Sequence, residues 1–202
     1  MSKTTEAVEW LEQPHEGYML NTVFSDENAR IITDITHMLS TALGNAFYAT
    51  PHSGLHITLL DWIAPLVDYD GADKAELFKS VYETYDVAMQ ASCRNIGSIQ
   101  VRFDEVRVSP TTVFIVGKDN GQFQAIRDTF VASVDLLPGT KLPSTIVHCS
   151  LGRFRAELPI EFVESCAAEC KIDIVQHVNW FRLINSHREP MLDFDEIKRY
   201  YL

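Results

Sequence analysis

Two short stretches decide the reading of this chain: Leu55-His56-Ile57-Thr58-Leu59-Leu60 and Val147-His148-Cys149-Ser150-Leu151-Gly152. Each is rich in β-branched and apolar residues and follows a Pro- and Gly-containing loop, Thr50–Gly54 in one case and the stretch with Pro138, Gly139 and Pro143 in the other. Each therefore reads as a strand. Side chains alternate along a strand, so His56 and Thr58 share one face while Leu55, Ile57 and Leu59 share the other. His148 and Ser150 share a face in the same way, with Val147, Cys149 and Leu151 opposite. Both strands anchor an apolar face in a core and present an imidazole and a hydroxyl together.

The surrounding pattern repeats. Ahead of the first strand, Tyr18–Phe24 reads as a strand, and Ser25 or Asp26 caps a helix that ends near Gly44. Its expected apolar stripe is Ile31, Ile32, Ile35, Met38, Leu39 and Ala42. After it come a helix over about 74–91 and a strand over 99–108. The second strand is preceded by a strand at 112–116 and a helix over about 121–136, with Phe123, Ile126, Phe130, Val131 and Val134 as its stripe. A helix at 160–169 and strands at 172–178, 180–184 and 197–201 follow it. Each half thus runs strand, helix, loop, short strand, helix, strand. Two copies call for a pair of lobes, because a solenoid needs at least three. The expected fold is α+β: one bilobal domain over 1–202, duplicated into pseudo-symmetric lobes of roughly 18–110 and 111–202, with strand exchange between them open. Each lobe has an antiparallel sheet with flanking helices, and the active-site cleft lies between.

Composition narrows the function. The 202 residues hold 17 Lys plus Arg against 28 Asp plus Glu, a net charge of −11. At 46% hydrophobic and 22% charged residues, the chain is apolar enough to fold. Its acidity disfavours an extended nucleic-acid surface, which needs clustered Lys and Arg, yet leaves room for one short nucleotide in a local pocket. No apolar run reaches the roughly 18 residues that span a bilayer, so no membrane partner is expected. Four cysteines without CxxC spacing (Cys93, Cys149, Cys166, Cys170) argue against a disulfide framework and for the cytoplasm. There is no P-loop, GxGxxG or GxSxG motif.

His56-Ile57-Thr58 and His148-Cys149-Ser150, the latter continued by Leu151-Gly152-Arg153-Phe154, resemble the twin H-x-T/S motifs of the two-histidine (2H) phosphoesterase superfamily. That group includes bacterial RNA 2′-5′ ligase-like proteins and cyclic nucleotide phosphodiesterases of tRNA splicing. The C-terminal stretch Phe181-Arg182-Leu183-Ile184-Asn185-Ser186 is similar to it as well. Ser150 departs from the commoner Thr, keeping the hydroxyl, and Leu60-Asp61-Trp62 after the first motif departs too, so substrate specificity does not carry over from any one branch.

Imidazole suits proton transfer near neutral pH, because its unperturbed pKa lies close to 6.5. Two histidines flanking one phosphorus can serve as base and acid, and hydroxyls can stabilise charge on the non-bridging oxygens. The resemblance implies this arrangement, with His56, Thr58, His148 and Ser150 as the catalytic group, either histidine as base, and no metal or cofactor. The expected activity is hydrolysis of a 2′,3′-cyclic phosphate or a 2′-5′ linked nucleotide. An RNA-end nuclease or ligase, a cyclic-oligonucleotide-cleaving enzyme and a non-catalytic nucleotide-binding module are the alternatives.

Subsidiary candidates surround these motifs. Arg153 falls three residues past Ser150, on the opposite face of a regular strand, and reaches a phosphate only from a bend; a surface ion pair is its other reading. Tyr48 and Trp62 flank the first motif and either stack a base or pack in the core. His187 and Arg188, read in a Pro-containing loop, either close over substrate or stand in solvent. His52 is four residues before His56, but Pro51 and Gly54 break the helix that such a metal pair needs.

Overall fold

The computed structural model describes residues 3–140, 142–188 and 190–202. The chain runs β1 (Pro14–Val23), α1 (Asp26–Leu43), β2 (Phe47–Ala49), β3 (His56–Ile63), α2 (Lys74–Cys93), β4 (Ile99–Val108), β5 (Thr112–Lys118), α3 (Gln122–Ser133), β6 (Val147–Phe154), α4 (Ile160–Glu169), β7 (Ile174–Val178), β8 (Trp180–Arg188) and β9 (Asp193–Tyr201). The strands form two antiparallel sheets, ordered β3-β1-β8-β9 and β2-β6-β5-β4-β7.

The repeat is visible in this order. β3-β1-β8 in one sheet corresponds to β6-β5-β4 in the other, each motif strand lying beside the strand that opens its half. The sheets do not divide at residue 110. β4, from the first half, pairs with β5, while β8, from the second, pairs with β1. The helices cross over too: α1 packs against β2, β6 and β7, whereas α3 packs against β3 beside α2. Each lobe is thus a sheet backed by two helices, and β3 meets β6 between them.

Local chemistry explains the elements. The Ser25 hydroxyl accepts from the Asn28 N–H at 3.3 Å, and Asp26 and Glu27 sit in the first turn of α1, where the helix dipole favours negative charge. Gly44 ends the helix at φ 60°, a conformation that suits glycine. The buried stripe is rotated from the expected one. Met38 is 52% exposed, while Asn28 and Thr36 are buried. The Asn28 amide donates to the Val175 carbonyl (2.9 Å) and to Gln176 Oε1 (3.0 Å), so two polar partners on β7 decide which face turns inward.

The four-stranded lobe is held by aromatic packing around Trp62, which is fully buried. Phe130 stacks on it at 6.2 Å and Tyr85 meets it edge-on at 5.5 Å, linking β3 to α3 and α2. β2, to which the sequence assigns no element, is a short edge strand on β6. β8 and β9 run longer than expected, and their pairing places His187 and Arg188 within β8.

Candidate active site

Both motif strands carry the same irregularity. Along β3, His56 and Thr58 are half-buried with Ile57 and Leu59 buried between them. The alternation then slips: Leu60 is buried, Asp61 half-buried, Trp62 buried. The cause is a bulge, since Leu20 of β1 faces Leu60 while the next residue, Asn21, faces Thr58, leaving Leu59 over. β6 repeats this. Val113 faces Gly152 and Phe114 faces Ser150, leaving Leu151 over, so His148, Ser150 and then Arg153 are half-buried. A bulge of one residue moves the third position onto the face of the first two. Arg153 therefore points with Ser150, and Asp61 with Thr58.

The two faces meet in a cavity of about 320 Å³, lined by His56, Thr58 and Asp61 from one lobe and His148, Ser150 and Arg153 from the other. β3 and β6 pack directly against each other at this point. The bulge also explains Trp62: turned away from the cavity, it belongs to the core and cannot stack a ligand.

His56 Nδ1 lies 2.7 Å from the Gly54 carbonyl, to which it donates, so the neutral ring keeps its lone pair on Nε2. Burial pushes the His56 imidazole down to about 4, against the pull of that carbonyl, and the charges of Arg182, His148 and Arg153 push it the same way. His148 is lowered as well, by burial and then by Arg153 and Arg127, while a backbone bond to Ile146 acts in the opposite sense. Phe114 meets its ring edge-on at 5.7 Å. Neither the Thr58 nor the Ser150 hydroxyl bonds to another described residue, so both are available to a ligand.

Arg127 of α3 lines the cavity from beneath and is only 2% exposed. Its guanidinium donates to the carbonyls of Leu59 (2.7 Å) and Thr58 (3.1 Å) at the bulge of β3, and at 3.4 Å to that of Ile146, just ahead of β6. One side chain thereby ties both motif strands together. Sequence reasoning passed over it, although Arg127 stands on the apolar stripe between Phe123 and Phe130, where an arginine calls for explanation. Arg153 is braced from outside, its guanidinium carbon 4.8 Å from the Trp10 ring centroid. In a chain of net charge −11, this pocket brings together two arginines and two histidines, a local focus for an anion.

The remaining candidates stand outside the cavity lining. Tyr48 faces Arg153 across the β2–β6 pairing, but its ring is covered by Arg155, 4.6 Å from the centroid. His187 is on β8, not in a loop, with Nε2 3.1 Å from Asp195 Oδ2. Arg188 ends the same strand, exposed, opposite Asp193. Both belong to the strand rather than to a loop, and neither side chain lines the cavity. His52 contacts Thr33 Oγ1 through Nδ1 (3.1 Å). Among the described residues no cluster of three or more His, Cys, Asp or Glu is arranged to hold a metal. No helix among the described residues is long and apolar enough to cross a membrane.

The site thus sits in a duplicated α+β fold, with paired histidine strands across one cleft. Among solved structures, the chain is similar to TT0787 of Thermus thermophilus, with 14% identity, a TM-score of 0.58, and coverage of 93% of this chain and 97% of that one. Escherichia coli LigT complexed with NADP+ matches at 15% identity and a TM-score of 0.56, covering 94% and 99%. LigT has also been crystallised with 3′-AMP and with ATP. A phosphoesterase structure matches at 17% identity and a TM-score of 0.54, covering 94% and 98%. No family model and no curated protein matches the sequence. The likeness in structure is to the fold that the two-histidine resemblance implies.

Proposed function

We propose that the protein is a cytoplasmic, metal-independent phosphodiesterase of the two-histidine type. It hydrolyses a 2′,3′-cyclic phosphate or a 2′-5′ linkage in a nucleotide or short oligonucleotide. The observation that carries this reading is the matched pair of motif strands, which turn an imidazole and a hydroxyl from each lobe onto one cavity, with a third polar side chain brought round by the bulge. The phosphodiester sits between His56 and His148. One imidazole, neutral, takes a proton from water as its oxygen bonds to phosphorus. The other, protonated, gives its proton to the ribose oxygen as the P–O bond breaks. Thr58, Ser150 and Arg153 hold the non-bridging oxygens, where charge accumulates. Burial and neighbouring arginines favour the neutral form of both imidazoles. The incoming anion offsets those arginines and raises the histidine that must carry the proton. The nucleotides crystallised with LigT support a ligand of this size.

Turnover of 2′,3′-cyclic nucleotides in excess chelator tests the proposal. Hydrolysis should survive EDTA and fall by at least about a hundredfold in either H56A or H148A. Full activity in either variant removes the paired-histidine mechanism, and nucleotide binding without product across cyclic and 2′-5′ substrates favours a binding module.

A further inference from the structure

The two lobes differ at one position that the bulges make equivalent. Where β6 presents Arg153, β3 presents Asp61, three residues past its hydroxyl on the same face. Asp61 is the one acidic residue among the described residues lining the cavity, and it makes no hydrogen bond or ion pair with any of them. Its surroundings are apolar: Met19 faces it across β1, and Leu60 and Pro65 line the cavity with it. A half-buried carboxylate with no protein partner calls for donors from elsewhere. The equivalent position in the other lobe carries Arg153, so the pocket is polarised, with one side for an anion and the other for hydrogen-bond donors. Asp61 stands within about 10 Å of Thr58 along the bulged strand, about the span of a nucleoside between its phosphate and the far edge of its base.

We propose that Asp61 selects the base of the substrate, and that the base is guanine. The proposal rests on the nucleotide reading above. A carboxylate offers two acceptor oxygens side by side. Guanine presents two adjacent donors, N1–H and N2–H, and meets both. Adenine and cytosine each set a ring-nitrogen acceptor beside their amino group, facing the carboxylate lone pairs, and the N–H of uracil lies between two carbonyls. Met19, Leu60 and Pro65 supply apolar surface for the base, and Asp61 reads its edge.

The experiment compares the four 2′,3′-cyclic mononucleotides as substrates, and guanosine and adenosine 3′-phosphates as calorimetric ligands, for the wild type, Asp61→Asn and Asp61→Ser. The expected result is a guanosine preference in kcat/KM that falls about ten- to a hundredfold, as a guanosine-to-adenosine ratio, in both variants. An equal ratio in wild type and variants, or no base preference in the wild type, overturns the proposal. If the wild type hydrolyses none of the four yet binds guanosine 3′-phosphate selectively through Asp61, the base subsite stands and the hydrolytic reading falls. Absence of selective guanosine binding in both assays overturns the subsite.

Discussion

Replacing Asp61 by Asn should stabilise the protein at neutral pH, and the gain should disappear on acidification. Burial raises the Asp61 carboxyl from its ordinary 3.8 to about 6. Above pH 6 the carboxylate is ionised in both folded and unfolded chains, and the folded state bears the full desolvation penalty. Between about 6 and 3.8 the folded chain holds a proton that the unfolded chain does not, so stability falls as pH rises through this window. The difference between the two values, at about 1.4 kcal/mol per tenfold, gives a penalty of up to about 3 kcal/mol at pH 7. Asparagine has nearly the same shape and no charge, and so avoids it. Urea unfolding of wild type and D61N from about pH 4 to 7.5 measures the gap directly. D61N should be the more stable by about 2–3 kcal/mol at about pH 7.5 and equal to the wild type near pH 4. A gap that stays constant with pH, or a D61N protein less stable above neutrality, means that Asp61 has a stabilising partner, and the idea of a donor-seeking carboxylate fails with it. His56 acts with the opposite sign over the same range, because its folded value is depressed to about 4 and the unfolded chain takes up protons first. Its contribution is common to both proteins and cancels in the difference.

Two further predictions concern the frame of the site. Arg127→Met removes the donors to the Thr58, Leu59 and Ile146 carbonyls; leaving those buried acceptors unmet, less the desolvation of the lost cation, should cost about 2–4 kcal/mol in urea unfolding. Arg127→Lys, with one point of attachment in place of a fork, should recover less than half of this. Gly152→Ala puts a Cβ against the Phe47 ring and 2.5 Å from the Tyr48 carbonyl, where β2 crosses the β6 bulge. It should destabilise the protein by about 1–3 kcal/mol and, by shifting Arg153, weaken competitive inhibition by inorganic phosphate in the cyclic-nucleotide assay.

The sequence exposes part of this site and hides the rest for one physical reason. His56 with Thr58, and His148 with Ser150, fall at a spacing of two, which strand geometry converts directly into a shared face. The duplication then makes each pair corroborate the other. Asp61 and Arg153 fall at the odd spacing of three, which a regular strand assigns to the far face, and the even spacing of Trp62 assigns it wrongly to the cavity. A bulge reverses both assignments, and no residue type in Leu59-Leu60 announces one, because it arises from the pairing with Leu20 and Asn21, far away in the chain. His187 and Arg188 go astray similarly, since the pairing of β8 with β9 extends a strand beyond the length that its own residues suggest. The signal that survives is comparative and internal. Two strands with matching histidines and hydroxyls both carry a charged side chain at the same odd offset, in stretches that are otherwise apolar. One such residue reads as a solvated exception. Two at equivalent positions imply a phase slip common to both lobes, and their opposite signs imply a pocket with a direction: phosphate toward Arg153, donor edge toward Asp61.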